Sequence, residues 1–149
     1  MTTSARPVAI VTGGRRGIGL GIARALAAEG FDIAVTGIGE ADAATDAMRA
    51  DIAALGARAL YLKADLADVA GHAATVAAIE DQLGAVGCLV NNAGIASVVR
   101  GDFLDLAPEN FDAIVATNLR GTVFFTQAVL KAMLQGKPAP GPRSVINIT

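Results

Sequence analysis

Short apolar runs alternate along this chain with longer stretches in which apolar residues recur every three to four positions. Residues 7–12 (PVAIVT) form an unbroken apolar run that ends at Gly13 and Gly14, the mark of a strand buried on both faces. Residues 17–29 carry Ile18, Ile22, Ala25 and Leu26 at helical spacing and are closed by Gly30. The alternation then repeats. Residues 33–36 read as a second strand. Residues 41–55 read as a helix with Met48, Ile52 and Leu55 on one face, and Glu40 is expected to belong to it. Residues 57–63 read as a third strand, and Asp68 is expected to cap a helix that runs to about residue 83. Residues 86–91 read as a fourth strand, followed by a loop to about residue 106. Pro108 suits the first turn of a long helix over 109–135. A turn-rich segment, 136–142, leads to a fifth strand over 144–149.

Strand and helix in this order predict an α/β fold: a doubly wound parallel sheet with right-handed crossovers. One domain over 1–149 is expected, since neither a repeat nor a linker is visible. Sheets of this kind ordinarily continue beyond a fifth strand, and a final apolar strand would be an unprotected edge. The sheet therefore reads as truncated after the fifth strand.

Composition narrows the function classes. The chain has 149 residues, of which 53% are apolar and 4% aromatic, so Ala, Val, Leu, Ile and Gly must build the core. The net charge is −2 with both signs interspersed, which argues against a nucleic-acid partner. Cys88 is the single cysteine and points to a reducing compartment. No leader-like apolar segment follows Met1, and no unbroken apolar run reaches the roughly 18 residues of a membrane span. The expectation is a cytoplasmic protein with no membrane partner. No cluster with metal-ligand spacing is present, so no metal is expected.

The candidate chemistry begins at Thr12-Gly13-Gly14-Arg15-Arg16-Gly17-Ile18-Gly19, between the first strand and the first helix. Glycines there permit a tight turn, let backbone N–H groups approach a pyrophosphate and let the helix pack closely on the strand. The helix N-terminus adds a partial positive charge. The alternative is an ordinary strand-to-helix turn. Further along, Asp65-Leu66 follows the third strand, Asn91-Asn92-Ala93-Gly94 closes the fourth, and Asn118-Leu119-Arg120-Gly121 lies in the long helix. Asn92 falls near the switch point of the sheet; a plain strand-end turn is the alternative. With Thr-Gly-x-x-x-Gly-x-Gly in front, these motifs resemble, in order and over essentially the whole chain, the N-terminal part of the short-chain dehydrogenase/reductase family. Loop and strand details look most like its 3-oxoacyl-acyl-carrier-protein reductase-like branch.

The resemblance implies a Rossmann-type dinucleotide-binding domain, the N-terminal part of a single-domain dehydrogenase that moves a hydride between nicotinamide and a carbonyl or alcohol substrate. It implies cofactor contacts at Gly13, Gly14, Arg15, Arg16, Gly17, Ile18, Gly19, Asp65, Leu66, Asn92, Ala93 and Gly94, and a catalytic role for Asn118. It also implies a homodimer or homotetramer packed through the 109–135 helix, whose second half is apolar nearly all round; a well-covered interior helix is the alternative. The second strand ends near Gly37 rather than at a carboxylate, Asp32 stands at its wrong end, and Arg15 and Arg16 lie in the glycine loop. Together these favour NADP over NAD, because Arg suits a 2′-phosphate; two solvated loop charges are the alternative.

Asn118 is expected on an apolar stripe with Phe111, Ile114, Val115, Thr122, Phe125 and Val129, where a buried amide needs partners. It is either a satisfied core residue or the family's water-holding Asn. The family's catalytic Ser, Tyr and Lys have no counterpart here. Tyr61 is the only tyrosine and reads as a strand residue, with Lys63 two positions on rather than four. His72 is expected to be exposed near a helix start. A non-catalytic nucleotide-binding module, or a fragment lacking the catalytic half, is therefore the rival reading.

Overall fold

The computed structural model describes residues 5–149. Five parallel strands form one sheet: β1 (Val8–Thr12), β2 (Asp32–Gly37), β3 (Ala59–Lys63), β4 (Val86–Asn91) and β5 (Ser144–Asn147), in the order β3-β2-β1-β4-β5. The order reverses between β1 and β4, so the C-terminal ends of those two strands bound the switch point of a doubly wound sheet. β1, β4 and all of β2 but its last residue are fully buried, as their unbroken apolar runs require.

Helices cover both faces. α1 (Gly17–Ala28) and α2 (Ala43–Ala54) close over Val11, Ile33, Val35, Met48 and Ile52. On the other face α3 (His72–Leu83) and α5 (Thr122–Gln135) close over Ile10, Ile79, Leu89, Phe125 and Val129. Each such side chain contributes about 1.5–3 kcal/mol by burial. β5 is the exposed edge, with Val145 36% and Ile146 42% accessible. Asp32, at the start of β2, is buried and held by Arg58 at 2.6 Å and Arg6 at 3.5 Å, so it serves the fold at the end of the sheet away from the switch point.

Several sequence expectations need correction. Asp68 does not cap α3. It precedes a short 3-10 turn, Val69–Gly71, makes no side-chain cap bond there, and leaves Gly71 at the helix start. His72 is buried rather than exposed, because that turn folds its ring inward against Phe125, edge-on at 5.2 Å. Glu40 lies in the loop before α2, which Asp42 caps: its Oδ1 accepts from Thr45 N–H at 3.0 Å, and the Thr45 hydroxyl accepts from Asp42 N–H.

The long helix is not uniform. α4 (Pro108–Val115) and α5 are joined by a π-helical segment, Ala116–Gly121. The wider turn shifts the helical phase, so the predicted stripe splits: Phe125 and Val129 face the core, while Phe111 and Asn118 are exposed. The combined helix, Pro108–Gln135, is long and apolar enough by composition to cross a membrane, yet here it lies on the sheet beside β4 and α3. Outward it presents Val123, Phe124, Leu130 and Leu134, 38–71% exposed among the described residues.

Candidate functional site

At the switch point the glycine loop turns over the end of β1. Gly13 and Gly17 take φ of +66° and +57°, which a side chain would strain. A Cβ on Gly14 would lie 3.0 Å from Val35 and 3.1 Å from Val11, so that glycine lets the loop settle on the sheet. A Cβ on Gly19 would come within 2.5 Å of the Asn92 amide, so α1 can lie this close to the β4 end only with glycine there. The first turn of α1 has Arg16 at its N-cap with no side-chain cap bond and no acidic residue, leaving its N–H groups to the cleft in front.

The loop is bolted to β4 by two polar residues. Thr12 Oγ1 accepts from Asn92 N–H and Ala93 N–H, each at 3.0 Å, and donates to Val90 O at 3.4 Å. The Asn92 amide donates to Thr12 O at 3.0 Å and Gly13 O at 3.2 Å. Asn92 is therefore a clamp between the two halves of the site as well as part of its wall.

Between these parts opens a cleft of about 420 Å³. It brings together Gly13, Arg15, Arg16, Gly17, Ile18, Gly19, Leu66, Asn92, Ala93 and Gly94. Three expected residues stand outside its lining. Gly14 packs beneath the loop. Asp65 spends its carboxylate on Ala67 N–H at 2.9 Å, fixing the turn that presents Leu66. Asn118 grips the backbone of Ile95 from both sides, accepting from its N–H and donating to its C=O, each at 2.8 Å. Thr36, Gly37, Ile38, Gly39, Tyr61, Ala64, Ile95 and Thr117 also line the cleft. Of these, Tyr61 carried no usable sequence signal beyond its place in an alternating strand. A second hollow of about 290 Å³ lies between α3 and α5, away from all of these motifs.

Charge gathers at the β2 end of the cleft. Arg15 Nη1 donates to Asp42 Oδ2 at 3.0 Å and to Glu40 O at 3.1 Å. Lys63, which pairs in register with Gly37, is bridged to Glu40. The Glu40 carboxylate beside it holds the Lys63 ammonium above its usual range, and the Thr45 N–H holds the Asp42 carboxyl below its own. The cleft thus offers backbone donors at one end, a mixed-charge rim at the other and apolar walls between, a form suited to an extended anionic ligand rather than to a metal. Among the described residues no group of three or more His, Cys, Asp or Glu side chains could hold a metal ion.

The family model for short chain dehydrogenase matches residues 7–149. A D-beta-hydroxybutyrate dehydrogenase from Cupriavidus necator is 43% identical over 85% of this chain and 48% of its own length. The crystal structure of a 3-oxoacyl-[acyl-carrier protein] reductase from Brucella melitensis in complex with NAD is 57% identical, with a TM-score of 0.89 over 97% of this chain and 56% of that one. A short chain dehydrogenase from Burkholderia cenocepacia in complex with NADP is 38% identical, with a TM-score of 0.75 over 84% of this chain and 50% of that one. The chain thus spans about half the length of the relatives it matches.

Proposed function

The chain belongs to the short-chain dehydrogenase family, and from that premise we propose that it is the cofactor-binding part of an oxidoreductase that moves a hydride between NADP(H) and a carbonyl or alcohol substrate. The observation that carries this reading is the cleft at the switch point, built from the glycine loop, the α1 N-terminus and the Asn92-Ala93-Gly94 strand end. The residues fit a dinucleotide: a Cβ at Gly13 or Gly19 would intrude on Ala93 or Asn92, while nothing stands within 4 Å of where one would project from Gly17.

The glycine loop and the first turn of α1 would hold the pyrophosphate, Leu66 with the Asp65 turn the adenine side, and Ala93 and Gly94 the floor beyond it. The cofactor when bound supplies the hydride. Asn118 holds the 94–95 stretch of the floor in place through Ile95. Proton transfer is assigned to no residue of this sequence, because the Tyr61 hydroxyl is engaged on Gly39 O at 2.7 Å. The absence of a carboxylate at Gly37, with Arg15 and Arg16 lining the same cleft, supports NADP; the 57%-identical relative in complex with NAD supports the alternative.

The exposed apolar face of α5 supports assembly as a homodimer or homotetramer, which sedimentation would measure. The free, buried Cys88 suits a reducing cytoplasm. Fluorescence titration with NADPH and NADH, followed by turnover on a panel of ketones, tests the main reading. Binding with turnover supports the oxidoreductase; binding without turnover supports a non-catalytic nucleotide-binding module; binding of neither nucleotide removes both.

A further inference from the structure

The two cations nearest the tip of β2 are already matched. Lys63 is bridged to Glu40, and Arg15 is held by Asp42 Oδ2 at 3.0 Å and Glu40 O at 3.1 Å, with its guanidinium 5.8 Å from the centre of the Tyr61 ring. Gly39 lies directly beneath that guanidinium: a Cβ there would be 3.5 Å from both terminal nitrogens. Arg16, by contrast, is exposed and makes no ion pair among the described residues.

From this arrangement we infer that Asp42, at the N-cap of α2, is a specificity-determining residue for the nucleotide, because it competes with a 2′-phosphate for Arg15. The inference rests on the nucleotide-binding reading above. The two oxygens of Asp42 have separate tasks. Oδ1 accepts from Thr45 N–H and so starts α2, while Oδ2 holds Arg15. A carboxylate at position 37 is sterically opposed by Tyr61, so negative charge reaches this rim from α2 instead. A 2′-phosphate must displace Asp42 from Arg15 or share the guanidinium with it, and it meets a like charge in either case. A 2′-hydroxyl imposes no such exchange. Asp42 thus moderates the preference for NADP that Arg15 and Arg16 would otherwise enforce, leaving room for NAD in the same cleft. The Asp42 carboxyl is held below its usual range, first by the Thr45 N–H, so it is ionised wherever the protein would work.

The test is Asp42→Asn in the full-length protein. Asn caps helices as well as Asp does, so α2 keeps its start, while the amide that replaces Oδ2 no longer attracts Arg15. NADPH should bind about two- to fivefold more tightly, the range an exposed ion pair supports, with the NADH dissociation constant unchanged. Asp46→Asn is the charge control: Asp46 is also in the first turn of α2, but it faces Arg49. It should leave the NADPH-to-NADH ratio unchanged. In an Arg15→Gln background Asp42→Asn should lose its effect. The same shift from Asp46→Asn, an equal shift for both nucleotides, or persistence of the effect without Arg15 would overturn the inference. Binding of neither nucleotide by the unsubstituted protein would instead remove the reading on which it rests.

Discussion

A Cβ added at Gly37 would stand 2.8 Å from the Tyr61 hydroxyl, which is fixed in place by its bond to Gly39 O. The ring grows from β3 across the end of β2 and fills the space an acidic side chain at the strand tip would take. Gly37→Asp should therefore cost about 1–3 kcal/mol of stability. Adding Tyr61→Phe removes the obstructing oxygen and should recover most of that loss. In the double variant the new carboxylate should weaken NADPH binding at least tenfold relative to NADH, to be read by thermal melting and titration together. Gly37→Asp melting like the unsubstituted protein would sink the packing argument.

Thr12 and Asn92 form the joint between the glycine loop and β4, and their bonds differ in kind. The Thr12 hydroxyl serves two backbone N–H groups that have no other described partner. Thr12→Val keeps the shape and strands both donors, so a loss of about 2–4 kcal/mol is expected, whereas Thr12→Ser should cost under about 1 kcal/mol. Asn92→Asp turns an oxygen toward the carbonyls of Thr12 and Gly13 and should be worse than Asn92→Ala. Chemical denaturation orders the four variants; equal losses for Val and Ser at position 12 would mean that the hydroxyl does not hold the joint.

Leu66 is pinned from two directions. Its carbonyl lies 3.0 Å from the buried His72 Nε2, which makes that nitrogen the donor, and a Cβ on Gly121 would come within 2.3 Å of the same oxygen. The π-helical turn brings Gly121 this close, and it does so where Leu66 lines the cleft. Gly121→Ala should push the Leu66 turn into the site. The expected result is a loss of about 1–3 kcal/mol with weaker binding of both nucleotides alike. A change confined to one nucleotide would contradict this, because the shared adenine side is what moves.

The legible parts of this protein were those written in periodicity and glycine. β1 and β4 are continuous apolar runs because both of their faces are covered, and the glycine loop, Leu66 and Asn92-Ala93-Gly94 converge as their order along the chain implied. The π-helical turn was not legible. It needs one residue more than a helical turn holds, and nothing in Ala116–Gly121 shows that count, so regular helical spacing puts Asn118 on a buried stripe that it does not occupy. The inward turn of His72 was not legible for a related reason, and neither was the direction of the Tyr61 ring, although Tyr61 does lie in β3 as its pattern implies. Which way a single polar aromatic turns depends on neighbours distant in sequence, Leu66 and Phe125 for one and Gly37 and Gly39 for the other.

The titrating pairs at the rim give a pH profile with a definite sign. Asp42 has its pKa lowered from 3.8, chiefly by the Thr45 N–H. Its contribution is present above about pH 4 and fades as pH falls through the lower folded value. Lys63 has its pKa raised from 10.5 by Glu40, so its contribution is full below that value and fades as pH rises through the higher folded one. Between pH 5 and 9, taken as a rough window from these directions, neither pair should alter stability. The melting difference between the unsubstituted protein and Asp42→Asn should be constant across that window and shrink toward pH 3. A difference that changes near neutrality would point to a different titrating group.

Asn118 reaches the cleft only through the chain it holds. Its amide closes a two-bond ring on Ile95, and its Oδ1 lies 3.4 Å from where a Cβ on Gly94 would stand, so it fixes the stretch that forms the floor beyond Asn92. Both bonds are exposed, so Asn118→Ala should lower stability by only about 1 kcal/mol. The functional effect should be larger in proportion, because the freed 94–95 backbone must be ordered again each time nucleotide binds. A three- to tenfold rise in the dissociation constant is expected, of the order that ordering one or two residues costs. Asn118→Asp keeps the bond from Ile95 N–H but sets an oxygen against Ile95 O, and should fall between the alanine variant and the unsubstituted protein. Calorimetric titration beside thermal melting separates the outcomes: a melting loss with unchanged affinity would make Asn118 scaffold alone, whereas weakened affinity with little change in melting is what a positioning residue produces.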